Sequence, residues 1–131
     1  MTAIEPRPTA ESIREQVIDW RRYLHQHPEL SFHEERTSRF IAERLAELDG
    51  LEISRPTSTS VLARLVTGRP GPVLAIRADI DALPIDEKNT HDFVSTSRGV
   101  MHACGHDGHA AMLLGAAVIL TSMRDELSGE I

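Results

Sequence analysis

The sequence predicts an α/β domain in which helices flank a mixed β-sheet. Two predicted helices come first, three predicted strands follow, and a loop then leads into a third, more apolar helix. The predicted helices carry apolar residues at helical spacing, whereas the predicted strands are short alternating or continuous apolar runs. At 131 residues, of which 40% are hydrophobic and 4% aromatic, the chain can bury a mainly aliphatic core.

The first helix is predicted from about Thr9, as its N-cap, to His27. It should end there because the residue before Pro28 avoids helical angles. Its buried face is predicted from four apolar positions: Ile13, Val17, Trp20 and Leu24. Residues 1–8 contain two prolines and no periodicity, so they are predicted to be a flexible tail before a folded part over 9–131.

The second helix is predicted over 34–48, and the Asp-Gly pair at 49–50 should end it. Strands are predicted over 51–54 and 61–66, followed by a turn at 68–71.

A third strand is predicted over 73–78, and its continuous apolar character favours a central position in the sheet. The residues 84–100 show no clear period and are predicted to be a loop. The third helix, over 107–124, is apolar nearly all round and should be buried on several sides. Residues 129–131 resemble the opening of a further strand, so the chain is expected to be truncated.

Composition excludes several classes of function. The net charge of −6 argues against a nucleic-acid partner and against an anionic membrane surface. The longest apolar run is too short for a membrane span. A single cysteine cannot form an internal disulfide, and no secretory signal is visible at the start, so the protein is predicted to be cytoplasmic.

Side chains that can bind a metal are most concentrated in residues 99–109, GVMHACGHDGH. This stretch holds the only cysteine and three of the seven histidines. Cys104 and His106 stand two apart at a predicted helix start, and thiolate and imidazole are both good ligands for Zn²⁺. For an isolated Cys-x-His pair, however, a small buried cysteine and a solvated histidine are the more frequent outcome. His102 and His109 could ligate a metal, orient a substrate or bond to backbone.

A second group of candidates follows the third predicted strand. Asp79 and Asp81 stand where α/β sheets place their chemistry, and on extended backbone they share one face. They could bind a metal, orient a ligand histidine or cap the next turn. The remaining candidates are predicted to be structural histidines or solvated and capping carboxylates: His25, His27, His33, Glu34, Glu35 and Glu87.

Three motifs, in order, resemble the M20 metallopeptidase family. They are residues 24–31 (LHQHPELS), 77–85 (RADIDALPI) and 99–109, continuing to GAA at 115–117. The resemblance is to the amidohydrolase branch, which includes hippurate hydrolase, N-acyl-amino-acid amidohydrolases and auxin-conjugate hydrolases. It implies that the chain is the N-terminal part of a zinc-peptidase-like catalytic domain.

The same resemblance implies roles for individual residues. Cys104 and His106 correspond to metal ligands, and Asp81 to the residue that orients the metal site. Asp79 falls where other branches carry a ligand histidine, so it ranks below Cys104 and His106 as a metal ligand. The implied cofactors are two divalent ions, Zn²⁺ or Mn²⁺ with Co²⁺ as a further option, which activate water against the amide of a small N-acyl amino acid.

Family members are much longer than this chain. They carry a Glu-Glu pair, one Glu being the general base, shortly after a strand that would begin near Gly129, with further histidine ligands and a lid or dimerisation domain beyond it; none of these is present in the 131 residues at those positions. The 131 residues alone are therefore expected to bind metal weakly and to turn over little or no substrate.

Two alternatives stay open at the level of sequence. A non-catalytic remnant would bind metal weakly or associate with other chains, because unpaired sheet edges and an apolar helix favour association, and a homo-oligomer is one such outcome. A Cys104 nucleophile with His106 as its base is disfavoured, since residues two apart at a helix start do not readily form that arrangement.

Overall fold

The computed structural model describes residues 8–131 and confirms a mixed α/β architecture. The elements are α1 (Arg14–Gln26), α2 (Glu35–Ala46), β1 (Leu51–Ser54), β2 (Leu62–Leu65), α3 (His106–Ser122) and a short 3-10 helix (Arg124–Glu126). The predicted tail lies outside the described residues except for Pro8. None of the helices in residues 8–131 is long and apolar enough to cross a membrane.

A hydrogen-bonded turn at Thr9–Ser12 precedes α1. The Ser12 amide donates to the Thr9 hydroxyl at 3.1 Å, and the Thr9 amide donates to the Ser12 hydroxyl at 2.8 Å. This reciprocal pair closes the turn before the helix; the N-cap residue of the helix itself is Ile13, without a side-chain cap, so the prediction of Thr9 as N-cap is wrong. The regular helix begins at Arg14, later than predicted, and ends at Gln26 before the proline as expected.

The core forms where α1 and α2 meet α3. Its buried apolar residues are Trp20, Leu24, Ile41, Leu45, Ala110, Ala111 and Leu114. Small side chains on α3 let α1 approach closely: a Cβ added at Gly115 would lie 2.8 Å from Val17 Cγ2. Close contact between these two helices therefore depends on the small residues of α3.

The prediction that α3 is buried on several sides is wrong for one face. Met112 is 59% exposed, whereas Leu114 on the packed face is 4% exposed. An open cleft of about 670 Å³ separates the exposed face from residues 76–79. In the described part of the chain, α1 and α2 cover only the opposite side of α3.

The prediction of a central strand over residues 73–78 is also wrong. Within residues 8–131 this segment makes only an isolated parallel bridge from Val73 to Glu130, with the Leu74 amide donating to the Glu130 carbonyl at 2.9 Å. Val73 is 76% exposed, because a central strand needs a paired neighbour on both sides and the described chain offers one short contact.

Residues 129–131 do pair, as their strand-like pattern suggests. Ile131 and Leu65 exchange two backbone hydrogen bonds of 2.8 and 3.1 Å, next to the antiparallel partners β1 and β2. Glu130 bridges Val66 antiparallel and Val73 parallel, so both pairing directions occur side by side.

Truncating Leu114 tests the packed face of α3. We expect Leu114→Ala to lower the free energy of unfolding by about 3 kcal/mol, because it leaves a cavity between α1 and α3. Met112→Ala, two residues away on the exposed face, should change it by less than about 0.5 kcal/mol. Urea denaturation followed by circular dichroism measures both, and equal losses would contradict this packing.

Candidate metal centre

Backbone pairing brings the aspartate motif alongside the cysteine–histidine motif. Leu83 and Met101 exchange two backbone hydrogen bonds, each of 3.0 Å. Gly105, at φ +88°, then turns the chain into the first residue of α3. A residue with a side chain rarely adopts this left-handed conformation, so the glycine sets how Cys104 and His106 enter the site. Cys104 is a free and exposed thiol.

Asp81 and His106 are in direct contact. His106 Nδ1 lies 2.9 Å from Asp81 Oδ1 and 3.0 Å from the Asp81 carbonyl oxygen. Two acceptors at one nitrogen require Nδ1 to carry the proton and donate it. The other ring nitrogen, Nε2, is then on the opposite side of the ring with its lone pair available. Carboxylates orient metal-binding histidines in proteins in this way.

Asp79 is held in a different contact. Its Oδ1 accepts hydrogen bonds of 2.7 and 3.0 Å from the Arg77 guanidinium, which lowers the pKa of the Asp79 carboxyl. Within the described residues, no group of three close metal-binding atoms includes Asp79, Cys104 and His106 together. The structure therefore joins Asp81 to His106 and leaves Asp79 paired with Arg77 beside the cleft.

The two other histidines of the motif differ in environment. His102 is 5% exposed, and within residues 8–131 neither of its ring nitrogens has a hydrogen-bond partner. Burial lowers the pKa of His102. His109 is exposed, with its ring centroid 6.2 Å from that of His106. A buried imidazole without partners, two residues from Cys104, is the kind of polar group that a bound ligand or water satisfies.

Comparison with known proteins points to one enzyme family. Residues 75–131 match peptidase family M20/M25/M40. The chain is 57% identical to the N-acyl-L-amino acid amidohydrolase of Geobacillus stearothermophilus, over 100% of this chain and 35% of that protein. It is 46% identical to thermostable carboxypeptidase 1 of Saccharolobus solfataricus, over 91% of this chain and 30% of that protein.

A solved structure gives the same result. The crystal structure of the Bacillus subtilis YxeP protein, described as a dinuclear metal-binding peptidase from the M20 family, matches with a TM-score of 0.86 and 45% identity. The match covers 92% of this chain and 34% of that one. The chain belongs to the M20 peptidase family. It spans about a third of the length of the relatives it matches.

In this M20 chain a second polar network lies behind the motif, centred on His25. His25 is 3% exposed, with Nδ1 2.7 Å from Asp107 Oδ2 and Nε2 2.9 Å from Glu87 Oε1. Arg21 Nε lies 2.9 Å from the same Asp107 oxygen. The network joins α1, the first turn of α3 and the loop that contains Glu87.

Two carboxylates are buried that the sequence predicted to be solvated or capping. The side chain of Glu87 is 4% exposed and Glu34 is 7% exposed. The partners of Glu87 come from His25, the Ser95 amide and Asn89. No local pattern signals this burial, because His25 is 62 residues away in the sequence.

The environment of Glu87 acts on its pKa in two directions. Burial alone would raise the pKa of this carboxyl, but hydrogen bonds from His25, Ser95 and Asn89 outweigh it and lower the pKa to about 2. A carboxyl whose pKa falls on folding contributes stability above its unfolded pKa near 4.5, and loses it as the pH falls toward 2.

Glu87→Gln tests this contribution. We expect it to lower the free energy of unfolding by about 2 kcal/mol at pH 7, because charge-assisted hydrogen bonds to a buried group are lost. The difference from the unchanged chain should shrink between pH 4.5 and pH 2. Urea denaturation over this pH range measures it, with Glu35→Gln, at an exposed position, as the matched control. A difference that does not depend on pH would contradict the assignment.

Proposed function

We propose that this chain forms part of a metal-dependent amidohydrolase that cleaves the amide bond of N-acyl amino acids, hippurate-like compounds included. The observation that carries the proposal is the Asp81–His106 contact next to Cys104, within an M20 chain. The substrate class is supported by 57% identity to a protein named N-acyl-L-amino acid amidohydrolase.

The donor atoms at this site fit a divalent metal. Cys104 supplies a thiol and His106 an imidazole nitrogen, a combination that favours Zn²⁺ over Mn²⁺ or Co²⁺. The buried ring nitrogens of His102, which have no hydrogen-bond partner within residues 8–131, support a bound ligand or water at this site. Two ions per site are supported by the dinuclear description of YxeP. A reduced thiol is needed for this ligand set, which supports a cytoplasmic location.

In this proposal Cys104 and His106 hold the metal, and Asp79 is a weaker third candidate that would have to leave Arg77. Bound by these residues, a divalent ion would supply Lewis-acid polarisation of an amide carbonyl and a lowered pKa of bound water. Asp81 keeps the proton on His106 Nδ1, so that Nε2 stays free to ligate. The adjoining cleft, lined in part by Asp79 and His109, gives an N-acyl amino acid a place to lie.

The chain supplies no identifiable general base. The sequence contains no Glu-Glu pair near residue 129, where the family resemblance places one. Glu130 pairs with Arg64 at 2.6 Å at the edge of the sheet, away from His106. We therefore expect residues 1–131 alone to bind metal weakly with little or no turnover.

A non-catalytic role as an associating chain is the second candidate, and it rests on exposed apolar side chains. Val73, Leu74 and Ile76 lie exposed on an extended segment that is paired only at its start, with Glu130, and Met112 is exposed across the cleft. Such a surface favours association with other chains, including further copies of this one.

Asp81→Asn tests the orienting role of Asp81. We expect it to weaken Zn²⁺ binding about 10- to 100-fold, because His106 loses the carboxylate that fixes its proton. Competition with a chromophoric chelator measures the affinity. Asp86→Asn, which removes an exposed carboxylate paired with Lys88, is the matched control and should bind like the unchanged chain. Equal affinities for Asp81→Asn and Asp86→Asn would contradict the role.

Release of free amino acid from hippurate and N-acetyl amino acids tests the reaction. We expect little turnover from the 131 residues, and metal-dependent turnover from a chimera in which they replace the matching part of the Geobacillus amidohydrolase. Cys104→Ala should abolish the chimera's activity, whereas Asp86→Asn, outside both the ligand set and the cleft, should leave it unchanged and serves as the matched control. A folded, metal-loaded chimera that is inactive on these substrates would contradict the proposed reaction.

A further inference from the structure

We propose that His25, Glu87 and His91 form a second divalent-cation site, separate from the Cys104–His106 centre. One donor atom from each of these side chains lies within 4.8 Å of the other two. Within residues 8–131, these are the three His, Cys, Asp or Glu side chains whose ligand atoms all lie this close together. An ion bound there would fasten the loop that carries Glu87 and His91 onto α1.

Two of the three donor-atom spacings, both measured to Glu87, are close to those of a tetrahedral site, and the third is within 4.8 Å. With metal–ligand bonds of about 2.0–2.1 Å, neighbouring ligand atoms stand roughly 3.3 Å apart. His91 Nε2 lies 3.4 Å from Glu87 Oε1, and His25 Nε2 lies 2.9 Å from the same oxygen. The first distance already suits a bound ion, and the second needs to widen by only a few tenths of an ångström.

Each ring nitrogen of His25 meets a carboxylate. Asp107 Oδ2 lies 2.7 Å from His25 Nδ1 and accepts its proton in a hydrogen bond. Nε2 lies 2.9 Å from Glu87 Oε1, and because that oxygen is an acceptor, a proton or another cation is needed between the two atoms. Either a second proton on His25 or a metal ion meets that need, and carboxylate–histidine–metal chains are a common arrangement.

His91 supplies the third ligand and the route from solvent. Its side chain is 31% exposed, whereas those of His25 and Glu87 are each 4% exposed. The ring stacks on Phe93 with centroids 3.8 Å apart, and its buried Nδ1 has no partner within the described residues. An ion could enter past His91, bind the three side chains and keep water as a fourth ligand.

The preferred ion follows from the ligand types. Two imidazoles and one carboxylate suit Zn²⁺, Co²⁺ or Ni²⁺ better than Mg²⁺ or Ca²⁺, which favour oxygen ligands alone. The loop is already tied to the end of α1, where the Thr96 amide and hydroxyl donate to the Gln26 carbonyl at 2.9 and 2.7 Å. An ion at this site would strengthen that attachment and stabilise the folded chain in proportion to its occupancy.

Cobalt titration of the 131-residue chain carrying Cys104→Ala and His106→Ala tests the proposal. This background removes the proposed catalytic ligands, so its outcome is independent of the amidohydrolase proposal. We expect one equivalent of Co²⁺ to give visible d–d absorption without a thiolate charge-transfer band, and to raise the melting temperature.

Adding His91→Phe should weaken that binding at least tenfold and remove the thermal shift, because phenylalanine keeps the stack on Phe93 but has no ligand atom. His33→Ala, at an exposed histidine, is the matched control and should bind like the background. Circular dichroism confirms that each variant is folded. A folded background without Co²⁺ binding, or binding that His91→Phe leaves unchanged, would overturn the proposal and leave a proton between His25 and Glu87.

Discussion

The carboxylate of Asp107 is the constraint on which the site geometry depends. Asp107 is 1% exposed and stands in the first turn of α3, directly after His106. Burying a carboxylate is costly unless partners compensate, and here His25, Arg21 and the positive end of the helix do so. Because both side-chain partners belong to α1, these contacts fix the start of α3 against α1 and thereby place His106.

This polar contact and the apolar packing support each other. α1 lies close enough to α3 for its His25 to reach Asp107 only because α3 presents Ala111 and Gly115 to it along the same face. A bulkier residue at Gly115 would contact Val17 and push the helices apart. The low exposure of Asp107 in turn strengthens the contacts of its Oδ2 with His25 and Arg21, since electrostatic interactions are stronger in a low local dielectric, while its Oδ1 has no hydrogen-bond partner within residues 8–131. The sequence shows that residues 111 and 115 are small, but it does not show that they allow His25 to contact the buried carboxylate of Asp107.

Local chemistry made part of the fold predictable. The bounds of β1 agree with the prediction, and α3 begins within one residue of the expected position, because Gly50 and Gly105 adopt the left-handed angles that end one element or begin another. The contact of Asp81 with His106 follows the role that the family resemblance implies. The burial of Glu87 was not predictable, because it depends on His25, which lies 62 residues away in the sequence. The 73–78 segment was misjudged because strand formation depends on neighbours that its own residues do not specify.

His25 and His106 share one arrangement, a carboxylate in contact with Nδ1 of the ring, in two different surroundings. Each ring presents Nδ1 to a carboxylate, Asp107 in one case and Asp81 in the other, so each directs Nε2 away from that carboxylate. What differs is the surroundings of Nε2. His106 is partly exposed near a cleft and a free thiol, whereas His25 is buried and meets Glu87 at 2.9 Å. A metal ion held by His106 would therefore lie within reach of a substrate in the cleft, whereas a cation at His25 would contact solvent only past His91 and would act on the stability of the fold.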